Sequence, residues 1–162
     1  MSMAPLKHRT DAAQRQASDP TSSVWVAANA GSGKTHALTN RVARLLLAGT
    51  PPERILCLTF TRAAAAEMAT RLFQRLGEWA TLSTEDLSAR IEDLEGSAPS
   101  QTHLAQARRL FARAIETPGG LKIQTIHAFC ERILGRFPLE ADIEPHFDVM
   151  DDRTGAELKR LA

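Results

Sequence analysis

Eight residues, Ala28-Asn29-Ala30-Gly31-Ser32-Gly33-Lys34-Thr35, lie between a short apolar run and a long amphipathic one, and few folds accommodate that arrangement. Upstream, Val24-Trp25-Val26-Ala27 is too short and too β-rich for a helix and predicts a short buried strand. Downstream, Lys34 to Leu47 places Leu38, Val42 and Leu45 on one helical face, and Gly49 with Pro51-Pro52 ends it. Gly31 and Gly33 let successive backbone N–H groups turn inward and wrap a phosphate. Lys34 then reaches the outer phosphate oxygens as a point charge, and Thr35 offers its hydroxyl to Mg2+. The positive end of the following helix adds about 0.3–2 kcal/mol for an anion. The usual pattern opens on glycine. Ala28 is a variant there, tolerable where the backbone keeps a negative φ. The strand before and the helix after separate this run from a Gly-Ser linker that merely precedes a lysine. Residues Ala28 to Thr35 are therefore expected to bind ATP, with Lys34 and Thr35 serving the chemistry and Thr35 the metal.

The rest of the chain has the matching rhythm. A short helix is expected over Thr10 to Ser18, before Pro20 and a polar turn. Ile55 to Thr59 reads as a second buried-type strand, Arg62 to Trp79 as a long helix, and Glu85 to Leu94 and Leu104 to Ile115 as two more. Leu121 to Thr125 is a third strand candidate after Pro118-Gly119-Gly120, and Ala128 to Gly135 a further helix. Phe147 to Met150 is expected to be extended, and Gly155 to Ala162 to begin a helix that has no stop signal, as in a fragment. Strands alternating with helices imply a parallel sheet with crossover connections.

Three further segments resemble superfamily 1 helicases of the UvrD and RecB type. Gln14-Arg15-Gln16-Ala17 resembles the Q motif, Thr59-Phe60-Thr61-Arg62-Ala63-Ala64-Ala65-Ala66-Glu67-Met68 resembles motif Ia, and Thr125-Ile126-His127-Ala128-Phe129 resembles the Thr-[Phe/Ile]-His segment. The longer run from Pro118 to Glu131, with Phe137-Pro138-Leu139-Glu140-Ala141, is most similar to the AddA branch, the helicase–nuclease subunits that process double-strand breaks. The resemblance implies an α/β fold of the P-loop NTPase, RecA-like kind, an incomplete parallel sheet with flanking helices and a helical insertion. Residues 1–79 and 118–162 then belong to the ATP-binding domain, and 80–117 form the insertion. It also implies Gln14 as an adenine reader and ATP with Mg2+ as cofactors. Single- and double-stranded DNA is the implied substrate, 3'-5' translocation and a nuclease the activities of the full-length protein, and an AddB-type protein the partner. DNA contacts are expected from Thr59, Phe60, Thr61, Arg62, Thr125 and His127. From residue type alone, Phe60 is either a core aromatic or a stacking platform, and His127 either a structural histidine or a DNA contact. His36 stands where UvrD proteins carry an arginine, so no adenine-side contact is expected from it, and Glu67 suits structural pairing better than acid–base work.

Charge and composition exclude other classes. The chain has 20 Lys and Arg against 19 Asp and Glu, a net of +1, so it is no histone-like polycation, though a local basic groove remains open to it. Apolar residues at 43% and charged ones at 24% exclude a disordered chain. Cys57 and Cys130 share no metal-type spacing, apolar runs are too short to cross a membrane, and the first twenty residues hold no apolar signal core. A cytoplasmic location is expected. No Asp-Glu pair follows a buried strand; Asp151-Asp152 is the nearest candidate for the carboxylate that activates water. If this chain were the complete product, the alternative function would be a nucleotide- and DNA-binding module that does not hydrolyse.

Overall fold

The computed structural model describes residues 12–27, 29, 31, 33–150, 154 and 160. Two strands, β1 (Leu56–Thr59) and β2 (Lys122–Thr125), and five helices, α1 (Lys34–Leu47), α2 (Arg62–Thr81), α3 (Thr84–Glu95), α4 (Gln101–Glu116) and α5 (Ile126–Arg136), make up its regular structure, with a helical segment at 12–17 and a 3-10 turn at Pro52–Arg54. The strands pair in parallel, Leu56 opposite Lys122 and Thr59 opposite Thr125. The long connection between them carries α2, α3 and α4, as a parallel crossover requires.

Helices α2 to α5 each start where a side chain can satisfy an orphan N–H. Thr61 caps α2 by accepting from the Ala64 N–H at 3.1 Å, and Ser83, Ser100 and Thr125 cap α3, α4 and α5 in the same way. These caps lie upstream of the first apolar residue of each periodic pattern. Helices α3, α4 and α5 consequently begin a residue or more before the pattern predicts, at Thr84, Gln101 and Ile126.

The core is built around α2. Met68, Leu72, Leu76 and Trp79 recur on one of its faces and meet Val42 and Leu46 of α1, Leu87 and Ile91 of α3, and Leu104, Ala107 and Leu110 of α4. The helices of the 80–117 stretch therefore share one core with α1 and α2. Gln106 of α4 closes this packing by donating its amide to the Leu47 carbonyl at 2.8 Å.

Two expectations are corrected. Val24-Trp25-Val26-Ala27 forms no strand: Val24 and Val26 are exposed and Trp25 is 93% exposed. A strand exists through the hydrogen bonds of a neighbour, and among the described residues the sheet consists of β1 and β2, neither of which pairs with this run. Nor is β1 buried on both faces. Cys57 faces the core with Ile123 packed nearby, whereas Leu56 and Leu58 are exposed on the opposite face. In β1, therefore, only alternate residues are enclosed. Burial pushes the Cys57 thiol up to about 11, which leaves it a small hydrophobe at neutral pH.

At the N-terminal end the helix expected over Thr10 to Ser18 is present at residues 12–17, while Thr10 lies outside the described residues. Phe147 to Met150 has no regular structure, and Asp151, Asp152 and the Gly155 to Ala162 helix lie outside the described residues, Arg160 excepted. None of the described helices is long and apolar enough to cross a membrane.

Candidate nucleotide and nucleic-acid sites

The glycine run turns as its composition requires. Gly31 has φ +78° and Gly33 φ +86°, both in the left-handed region that favours glycine. Gly33 is also the N-cap of α1, so the loop delivers the chain directly into a helix N-terminus. A Cβ on Gly33 would meet the Gln14 side-chain amide at 3.1 Å, which places Gln14 against the loop.

Two arginines of α1 hold the Gln14 segment there. Arg44 donates to the Arg15 carbonyl at 2.9 Å and to the Ser18 hydroxyl at 3.2 Å, and Arg41 donates to the carbonyls of Asp19 at 2.5 Å and Ser22 at 2.7 Å. The segment thus leans on the helix that the loop opens.

A cavity of about 420 Å³ lies at the loop, lined by Gly31, Gly33, Lys34, Thr35, His36 and Arg71. Lys34 and Thr35 are exposed, and the Lys34 ammonium donates to the Asn29 carbonyl at 2.6 Å. Ala28, Ala30 and Ser32, also expected at the loop, lie outside the described residues. Charge around the cavity is positive. His36, although solvent-accessible, is held below its ordinary value, first by partial burial and then by the Arg75 and Arg71 guanidiniums, with Asp93 opposing. Arg71 is the residue that periodicity does not reveal: four residues after Glu67 it reads as a helical ion-pair partner, and only folding brings it to the loop.

A second set of residues gathers at the sheet edge. Because Thr59 and Thr125 are register partners at the ends of parallel strands, the segments following them emerge side by side. Phe60 is 85% exposed, which excludes the core role left open by its sequence position. Thr61 and Arg62 are exposed, as is His127. Thr59 donates its hydroxyl to the Thr61 carbonyl at 3.0 Å, and Thr61 and Thr125 cap their helices. Thr125 is buried, so it shapes the edge more than it presents a hydroxyl to solvent. Glu67 pairs with Arg71 at 2.5 Å, in keeping with a structural role.

Residues 10–161 match the UvrD/REP helicase N-terminal domain. The chain belongs to that family. Curated relatives include AddA proteins, whose name makes each of them part of an ATP-dependent helicase/nuclease. That of Lactobacillus gasseri is 33% identical over 140 residues, covering 86% of this chain and 10% of that protein. That of Lactiplantibacillus plantarum is 34% identical over 135 residues, 83% and 10% respectively. That of Enterococcus faecalis is 32% identical over 145 residues, 90% and 10%. The chain spans about a tenth of the length of these relatives. Its helix-rich α/β fold with a parallel strand pair is consistent with this family.

Proposed function

We propose that this chain is the nucleotide-binding portion of an ATP-dependent DNA helicase and that its sheet edge receives single-stranded DNA. The observation carrying the nucleotide half is the paired left-handed glycines that lead into α1 beside Lys34 and Thr35. That geometry suits a triphosphate: backbone N–H groups and a helix N-terminus favour the anion, the Lys34 ammonium supplies charge, and the Thr35 hydroxyl is a ligand suited to Mg2+. Gln14 lies against the loop, where an adenine edge would lie within its reach. Mg2+ bound to the phosphates would offset their charge, and the chain's own residues would hold and orient them.

The DNA half rests on the paired strand ends. Phe60 offers a solvent-facing ring for a base, and Arg62 and His127 offer polar contacts beside it. The relatives' name, which makes them parts of an ATP-dependent helicase/nuclease, supports a place in a larger assembly of that kind. In that setting the reading extends to 3'-5' translocation, double-strand break repair, an AddB-type partner and a cytoplasmic location.

The test is Mg-ATP binding by calorimetry on the 162-residue chain and on Lys34→Ala. The substituted chain should keep its circular dichroism spectrum and melting temperature, because Lys34 is exposed and contributes little to the core. Its affinity should fall at least tenfold. Equal affinity in the two proteins would refute the assignment of the loop.

A further inference from the structure

The guanidinium of Arg71 belongs to α2, an element no sequence pattern ties to the phosphate loop. Yet it lines the same cavity as Gly31, Gly33, Lys34 and Thr35. It also borders the neighbouring cavity of about 280 Å³ between α1 and α2, with His36 and Thr39 on one side and Gln74 and Arg75 on the other. After partial burial and Arg75, its charge is a further cause that holds His36 below its ordinary value. The side chain thus stands on the loop's side of α2.

From this placement we infer that Arg71 is a second cation of the nucleotide site, taking the outer phosphates of a nucleoside triphosphate in exchange for Glu67. This rests on the loop being a nucleotide site. A guanidinium carries five N–H donors in a planar fork that fits phosphate oxygens two at a time, which the rounder ammonium of Lys34 cannot do. The ion pair with Glu67 runs from Nη2 to Oε1 at 2.5 Å, with the two side chains 52% and 56% exposed. Water screens a pair that open, so it is weakly held and readily exchanged for an anion of higher charge. Glu67 is then a competitor that keeps Arg71 extended along α2 and limits its availability to the nucleotide.

Because the chain is anchored by α2 residues other than these two, the substitutions read binding and not folding. Leu72, the next residue, faces the core while Arg71 faces out. Mg-ATP, Mg-ADP and AMP are titrated by calorimetry into the chain carrying Arg71→Gln, Arg71→Lys, Glu67→Gln or both Arg71→Gln and Glu67→Gln, with melting temperatures recorded for each. Arg71→Gln should weaken Mg-ATP about tenfold, Mg-ADP less and AMP least. Arg71→Lys should retain part of the affinity, and Glu67→Gln should strengthen Mg-ATP roughly two- to fivefold. The double substitution should bind like Arg71→Gln alone, since a competitor matters only while its partner is present. Unchanged Mg-ATP affinity in Arg71→Gln, in a chain where Lys34→Ala abolishes binding, would overturn the inference and leave the nucleotide site standing. So would Glu67→Gln strengthening binding equally with and without Arg71. Lys34→Ala binding like the unsubstituted chain would defeat the site reading itself.

Discussion

Phe60→Ala separates binding from stability more cleanly than any other change at the sheet edge. The ring is 85% exposed in the folded chain, so folding removes little of it from water and its loss should move the melting temperature by no more than a surface substitution does, within about 0.5 kcal/mol. Stacking of one base on an aromatic ring contributes about 1–3 kcal/mol, which at about 1.4 kcal/mol per decade is roughly a five- to 140-fold loss of affinity. Fluorescence anisotropy with labelled oligo-dT and mixed-sequence single strands gives both affinity and sequence preference. The loss should be similar for the two strands, because every base offers a π-face. Raising salt should weaken the unsubstituted and substituted chains with the same slope, since phosphate contacts are untouched. An unchanged single-strand affinity, with or without a change in melting temperature, would refute the stacking role.

Leu72→Ala should cost about 2–5 kcal/mol in urea unfolding, because Leu72 is fully buried in the α2 face, whereas Leu58→Thr on the open side of β1 should cost well under ~1 kcal/mol. Equal costs would mean that the open face of the sheet is covered in solution. His36 has a lowered folded value, so the native state takes up its proton less readily than the unfolded one; stability should be complete above about pH 7 and fall as pH drops through the unfolded value near 6.5 toward the folded one. Melting temperatures of His36→Gln between about pH 5 and 7.5 should lack that part of the decline; an unaltered profile would show that His36 is not its source. The 162-residue chain should bind Mg-ATP yet turn it over at background rate with or without single-stranded DNA, since no carboxylate lines the loop cavity among the described residues. DNA-stimulated turnover lost in Lys34→Ala would overturn that and make Asp151 or Asp152 the missing acid.

What sequence periodicity conveys here is local, and the structure keeps it where local forces suffice. The α1 stop at Gly49, the α2 face of Met68, Leu72 and Leu76, and the glycines at positive φ all follow from residue type and spacing within a few residues. Val24 to Ala27 shows the limit. Its β-branched, aromatic composition suits a strand, but the ladder that would make it one must come from another segment, and neither β1 nor β2 pairs with it. Leu56 and Leu58 show the same limit on a face instead of an edge: alternation is hidden because both sides of β1 are apolar, and only the placement of α2 decides which is enclosed. The sites divide likewise. Gly31 to Thr35 is legible as a candidate phosphate loop because one contiguous stretch makes it, and the segments of Phe60 and His127 can be placed side by side because motif order implies neighbouring strand ends. Arg71 is not legible in this way, since its approach to the loop is set by how α2 crosses α1, through contacts such as the Arg75 guanidinium donating to the Asn40 side-chain carbonyl. The same helix begins at Arg62 beside Phe60 and, about nine residues or ~13 Å further along, carries Arg71 at the nucleotide cavity. A shift of α2 along its axis would therefore move Arg62 at the sheet edge and Arg71 at the loop cavity together, so this one helix joins the two candidate sites.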